Sequence, residues 1–231
     1  MYDLKRGKVL EMLQTRKKRA LKAWFRKQPY EWRRAIRVAC IDMWGPYEQA
    51  IREVFGDQVR VVADKFHVVK QLNDRITQAR RRIQREASDE VKEQLKGIRW
   101  AILKNRKKLS REEREALDRA FRHSRELCRM YQLKQEFLRI YRHRPQGRGG
   151  AIRRLRGWMK KVLATGLTDL HAFVRTLCNW WEEVTAYFQT GRTNAGAEGM
   201  NTLIKLVMRR GYGFRNHDHF RLRILQESGT L

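Results

Sequence analysis

From Phe66 to Tyr187 the apolar residues recur every three or four positions, a helical period sustained without the two-residue alternation of a strand. Val69, Leu72, Ile76 and Ala79 form one stripe, and Val91, Leu95, Ile98 and Ile102 form another. Ser110 followed by Glu113 is a capping box, which predicts a helix that turns Leu117, Phe121, Leu127 and Tyr131 inward and continues through Leu133, Phe137, Ile140 and Tyr141. His143 to Gly150, with Pro145 and three glycines, reads as a loop. Two further helices follow, carrying Ile152, Leu155, Trp158, Met159 and Val162, then Leu170, Phe173, Leu177, Trp180, Trp181, Val184 and Tyr187. These aromatics fall at core spacing, so they read as packing. Strand-forming sequence is thereby confined to the two ends of the chain.

The N-terminal end has the order hairpin, helix, strand, helix, strand, an α/β pattern. Tyr2 to Leu4 and Val9 to Leu13 flank Lys5-Arg6-Gly7, which predicts a hairpin turning at the glycine. Ala20, Leu21, Trp24 and Phe25 mark a helix over about 17–27 that Pro29 ends. Ala35 to Asp42 reads as a short apolar strand ending in a carboxylate, and Gly45-Pro46 opens a helix with Tyr47, Ile51, Val54 and Phe55 on one face. Val59 to Asp64 is a second strand ending in an acid. At the far end, Thr193 to Lys205 is a polar, glycine-containing loop running into a helix with Glu198 near its start. Gly211 to His217 reads as a tight turn, and a final helix begins at about Asp218. The expected organisation is a sheet domain divided into 1–70 and 191–231 by a helical insertion at 71–190.

Charge narrows the partner. The 53 Lys and Arg exceed the 25 Asp and Glu to give a formal net charge of +28, which suits a chain lying along a polyanion, nucleic acid above all. Individual blocks such as Arg16-Lys17-Lys18-Arg19 are equally compatible with solvated helix faces. Cys40, Cys128 and Cys178 are isolated, so no disulfide framework is implied and a reducing cytoplasm fits. No apolar run has the length of a membrane span, and no secretory signal is visible.

Acids delivered at the ends of buried strands stand where ligands gather in open α/β sheets. A few carboxylates suffice to hold Mg²⁺ beside a phosphate, and two such ions can assist an in-line displacement at a phosphodiester. Asp42 and Glu198 are the candidates. A lone Asp after a strand also serves as a helix cap, and Glu in a first helical turn is favoured by the helix dipole alone.

Four stretches carry a resemblance over nearly the whole chain: Asp42 to Tyr47, Ala63 to Lys70, Thr193 to Asn201, and Arg210 to Asn216. In this order and spacing they resemble the C-terminal part of bacterial insertion-sequence transposases of the ISL-three family. The resemblance implies a ribonuclease H-like DDE domain interrupted by a helical insertion, and metal-dependent cleavage and strand transfer of DNA. It makes Asp42 and Glu198 the second and third catalytic, metal-binding (Mg²⁺ or Mn²⁺) members of the triad. Asp64 and His67 would support the site, although His67 also reads as a structural histidine at a helix start. Lys70, Asn194, Asn201, Lys205, Arg209, Arg210 and Arg215 would contact DNA, both transposon ends and target. A homo-oligomer when active, without a membrane, and a bacterial, nucleoid-associated location complete the expectation. The family pattern places three antiparallel strands before the first helix, the first bearing the first Asp. Here one hairpin precedes it, so the chain reads as N-terminally truncated, with Asp3 the acid available in the opening strand. The alternative is a non-catalytic DNA-binding remnant or a regulator of an intact transposase.

Overall fold

Strand pairing is sparse. In the computed structural model, which describes residues 1–142 and 148–230, the described strands form two separate pairs. By internal packing the chain divides into two units, Met1–Asp64 with Gly191–Leu231, and Lys65–Thr190.

The first unit opens with the expected hairpin, β1 (Tyr2–Asp3) antiparallel to β2 (Lys8–Val9), with Tyr2 opposite Val9. Its turn is built by Asp3, whose Oδ1 accepts the backbone N–H groups of Lys5 and Arg6 at 2.8 and 3.0 Å, and by Gly7 at φ +70°. Helix α1 (Lys18–Lys27) and a short α2 (Tyr30–Ala35) precede β3 (Val38–Ile41). The strand is therefore shorter than the sequence suggests. Pro29, with φ already near the helical value, stands at the N-cap of a second helix that takes up Ala35. Helix α3 (Gly45–Phe55), with Pro46 in its first turn, crosses over to β4 (Arg60–Ala63), which pairs in parallel with β3 in the register Ile41 opposite Ala63. Phe25 and Phe55 meet edge to face at 4.9 Å where α1 packs on α3. Beside them Glu53 bonds Lys18 and Lys22, which hold its carboxyl at about 2.

Every regular element among the described residues of the second unit is helical: α4 (Lys65–Glu86), α5 (Asp89–Gly97), two 3₁₀ turns (Ala101–Leu103 and Arg106–Lys108), α6 (Arg111–His123), α7 (Arg125–Arg142), α8 (Arg148–Leu163), α9 (Thr168–Asn179) and α10 (Trp181–Thr190). The Ser110–Glu113 capping box is formed, but the helix it opens stops at His123. Ser124 adopts an extended conformation and its hydroxyl accepts the Leu127 N–H, so it restarts the chain as α7. A similar break at Trp180 divides the last expected helix in two. Arg148, Gly149 and Gly150, expected in a loop, lie within α8, while the remainder of that loop, 143–147, is outside the described residues. The aromatics do pack: Phe137 lies 4.9 Å from Trp158 and 5.3 Å from Phe173, and the Trp158 indole donates to the Leu133 carbonyl at 2.8 Å. No described helix is long and apolar enough to cross a membrane.

The first unit closes with α11 (Ala195–Arg210) and α12 (His217–Glu227). Val9 of the hairpin joins Val207, Ile224 and Leu225 in a small core, with Tyr2, Met200 and Phe214 against it. The sheet expected to run from the hairpin into β3 is interrupted. Past Val9 the hairpin pairing reaches only as far as Met1, whose carbonyl accepts the Leu10 N–H at 2.9 Å and whose ammonium donates to the Glu11 carbonyl, while the Glu11 carboxylate pairs with Arg221 of α12, at 2.6 Å to one guanidinium nitrogen. A cavity of about 860 Å³ lies between the two strand pairs, bounded by Leu10, Met12, Trp24, Ile41, Phe55 and Met200.

Candidate functional site

Parallel pairing of β3 and β4 in register sets Asp42 and Asp64, the next residue of each strand, side by side at one edge of the pair. The Asp64 N–H still donates to the Ile41 carbonyl at 2.9 Å, so the ladder reaches the acid itself. Asp64 is 1% exposed, and its Oδ1 accepts the Asn194 N–H at 2.9 Å. Asn194 is the N-cap of α11, and its carbonyl receives the Glu198 N–H at 3.0 Å. A buried carboxylate thus ties the strand edge to the first turn of the helix that carries Glu198. Tyr2 secures the same turn from the hairpin: a Cβ on Gly196 would stand 2.9 Å from its ring.

Asp42 is a third exposed, with Arg16 at 4.0 Å. The Arg16 guanidinium lies over the Trp44 and Tyr47 rings, 5.8 and 5.9 Å from their centroids. The N-cap of α3 is Trp44, two residues past Asp42. Asp42, Asn194 and Asn201 all line the cavity, which brings the end of β3 and one side of α11 to a common space. Cys40 sits one turn of pleat before Asp42, and its thiol is pushed up to about 12 by burial and then by the charges of Asp64 and Asp42. Both effects favour the neutral thiol over the thiolate.

Glu198 Oε1 is buried with no hydrogen-bond partner. A buried carboxylate oxygen without a donor is costly, and a cation would remove that cost. Carboxylate oxygens are also the donors that Mg²⁺ and Mn²⁺ favour. The donors fit a hard cation in kind, yet among the described residues no three His, Cys, Asp or Glu side chains converge. Asp3 is engaged in its own turn and lies 3.9 Å from Arg6. Glu11, which no local motif marks, is the other acid of the opening segment. Burial alone would raise its pKa, but the hydrogen bonds from Arg221 and the Met12 N–H outweigh it and hold the carboxyl below its ordinary range. Its position two residues after buried Val9, on the same face of an extended chain, is the signal that would have found it.

The expected DNA contacts divide by unit. Asn201, Lys205 and Arg209 follow Glu198 at intervals of three and four residues, so they continue its face along α11, and all three are exposed. Arg210 is exposed and lies 3.5 Å from Glu227, and Arg215 is exposed in the turn before α12. Tyr212 in that turn takes φ +48° and is fully exposed. His67 and Lys70 belong to α4 of the helical unit, where the His67 ring meets Phe66 edge to face at 5.4 Å.

Against known proteins, the family model for ISL3-type DDE transposases, described as "Transposase", matches residues 1–224. Among curated proteins, the transposase for insertion sequence element IS1001 of Bordetella parapertussis is 26% identical over 215 residues, covering 90% of this chain and 52% of that protein. The chain spans about half the length of the curated relative it matches. No solved structure matches it.

Proposed function

The chain belongs to the ISL-three family of transposases, and from that premise we propose that it is the catalytic part of an insertion-sequence transposase that breaks and rejoins DNA phosphodiesters. The observation that carries this reading is the hydrogen bond from Asn194 to Asp64, which joins the Asp42–Asp64 strand edge to the helix turn bearing Glu198. Asp42 and Glu198 would hold Mg²⁺ or Mn²⁺, and Asp64 would orient α11 and with it Glu198. When bound, the ion supplies a Lewis acid that activates the attacking water or 3′-hydroxyl and offsets charge on the phosphate. Along α11, Asn201, Lys205 and Arg209 form a track for strand phosphates leading away from the site, with Asn194, Arg210, Arg215 and Lys70 as further contacts.

The fold we propose for the first unit is ribonuclease H-like, with β3 and β4 at its centre. Among the described residues β3 pairs on one side alone, and Val38 to Ile41 face the cavity. An unpaired edge over an apolar space is a template for an added strand. Joining two transposon ends to a target also calls for at least two copies of the chain acting together.

A second reading, a DNA-binding protein without catalysis, draws support from the engagement of Asp3 and Glu11 elsewhere. Nicking of supercoiled plasmid with Mn²⁺ or Mg²⁺ separates the two. The catalytic reading requires nicking by the wild type that Glu198→Gln and Asp42→Asn abolish. Equal nicking by the variants would remove these residues from the site, and DNA binding without nicking by any of the three would leave the second reading.

A further inference from the structure

Trp100 is the most exposed tryptophan of the helical unit, at 64%, although indoles are usually well covered. Its surroundings are not loose. Ile98, Ala101 and Ile102, on either side in sequence, are buried. From beneath, the fully buried Lys134 side-chain nitrogen donates to the Ile102 carbonyl at 2.9 Å and the Lys104 carbonyl at 3.5 Å. Gln135 adds a donation to the Lys104 carbonyl at 3.3 Å and accepts the Arg106 N–H at 3.2 Å. Arg80, also buried, donates to the Leu95 carbonyl at 3.0 Å at the entry to the segment. Burying a lysine without a carboxylate is expensive, and here it fixes the path of one irregular turn.

On the outer side of that turn the Arg99 guanidinium lies 4.6 Å from the Trp100 ring centroid. The stretch from Lys96 to Lys108 holds six Lys and Arg and no acid, and Arg106, Lys107 and Lys108 are exposed in the 3₁₀ turn that follows. Phosphate binding alone needs only the cations. An exposed indole braced by a guanidinium adds a π surface, which a base inside a duplex stack cannot use and an unpaired base can.

We propose that the Arg99–Trp100 pair is a stacking platform for an unpaired DNA base, with Arg106, Lys107 and Lys108 holding the phosphates of the same single strand. The platform rests on the reading that DNA is the partner, and is independent of the metal site. In a transposition reaction such a strand arises wherever a cut leaves an overhang or the duplex is opened.

The test is fluorescence anisotropy of a labelled oligothymidine and of a blunt duplex against the wild type, Trp100→Ala and Trp100→Phe, at several salt concentrations. Trp100→Ala should weaken single-strand binding about tenfold with no change in salt dependence, since no phosphate contact is lost. Trp100→Phe should restore most of the affinity, and the duplex should bind all three chains alike. Equal single-strand binding by the wild type and Trp100→Ala would overturn the platform alone, as would an equal loss on the blunt duplex. Failure of the wild type to bind either DNA would overturn it together with the DNA reading.

Discussion

At the scale of single residues, Asp64 is the group that ties the β3–β4 edge to the start of α11. Asp64→Ala leaves the half-buried Asn194 N–H without its acceptor, which should cost about 1 kcal/mol of stability, read as a lower urea midpoint; Asp64→Asn, which keeps an acceptor oxygen, should lose less. Lys134 makes a prediction of a different kind. Burial pulls its pKa from the ordinary lysine value of 10.5 to about 7. Between those values the unfolded chain binds a proton that the folded chain does not, so its contribution makes stability rise with pH across that window and level off below it. Comparison of urea midpoints from about pH 6 to about pH 10 should therefore show a steeper rise for the wild type than for Lys134→Met. That Asp42 and Asp64 follow strand ends and Glu198 a helix start was legible in the sequence, because these are local patterns. Glu11 and Lys134 were not, because Arg221 and the Ile102 carbonyl are their partners only through the fold.

At the scale of elements, local chemistry again decided what could be read. The hairpin turn, the Ser110 capping box and the Pro46 helix start all declare themselves within four residues. The breaks at Ser124 and Trp180 interrupt apolar stripes that keep their period, so periodicity alone runs each pair of helices together. The seating of α11 on the hairpin belongs to this scale and can be tested by a double-mutant cycle. Gly196→Ala would push a methyl into the Tyr2 ring, an overpacking cost of about 1–3 kcal/mol set against about 1 kcal/mol of gained helix propensity. The net effect should be a loss of stability in the wild type and a neutral or favourable change in a Tyr2→Ala background, measured by thermal or urea unfolding.

At the scale of the whole molecule, the sequence conveyed a sheet-forming part divided by a long helical one, and it overstated how much sheet there is. Its strand signals are real, but strand propensity reports on a half-buried pleated surface and says nothing of whether a neighbour is present to complete it. Among the described residues β3 has a strand partner on one side and lines the cavity. The excess of positive charge distributes over both units, and includes a stripe on α11 and the Lys96–Lys108 stretch. The central claim concerns the first unit: that Asp42 and Glu198 hold one metal ion. Iron(II)-dependent hydroxyl-radical cleavage of the protein backbone tests this without requiring catalysis, because the radical cuts near the ion that generates it. The account predicts cuts close to Asp42 and close to Glu198, both suppressed by excess Mg²⁺ and both lost in Glu198→Gln. Cuts absent from these two places, or unchanged in Glu198→Gln, would contradict it.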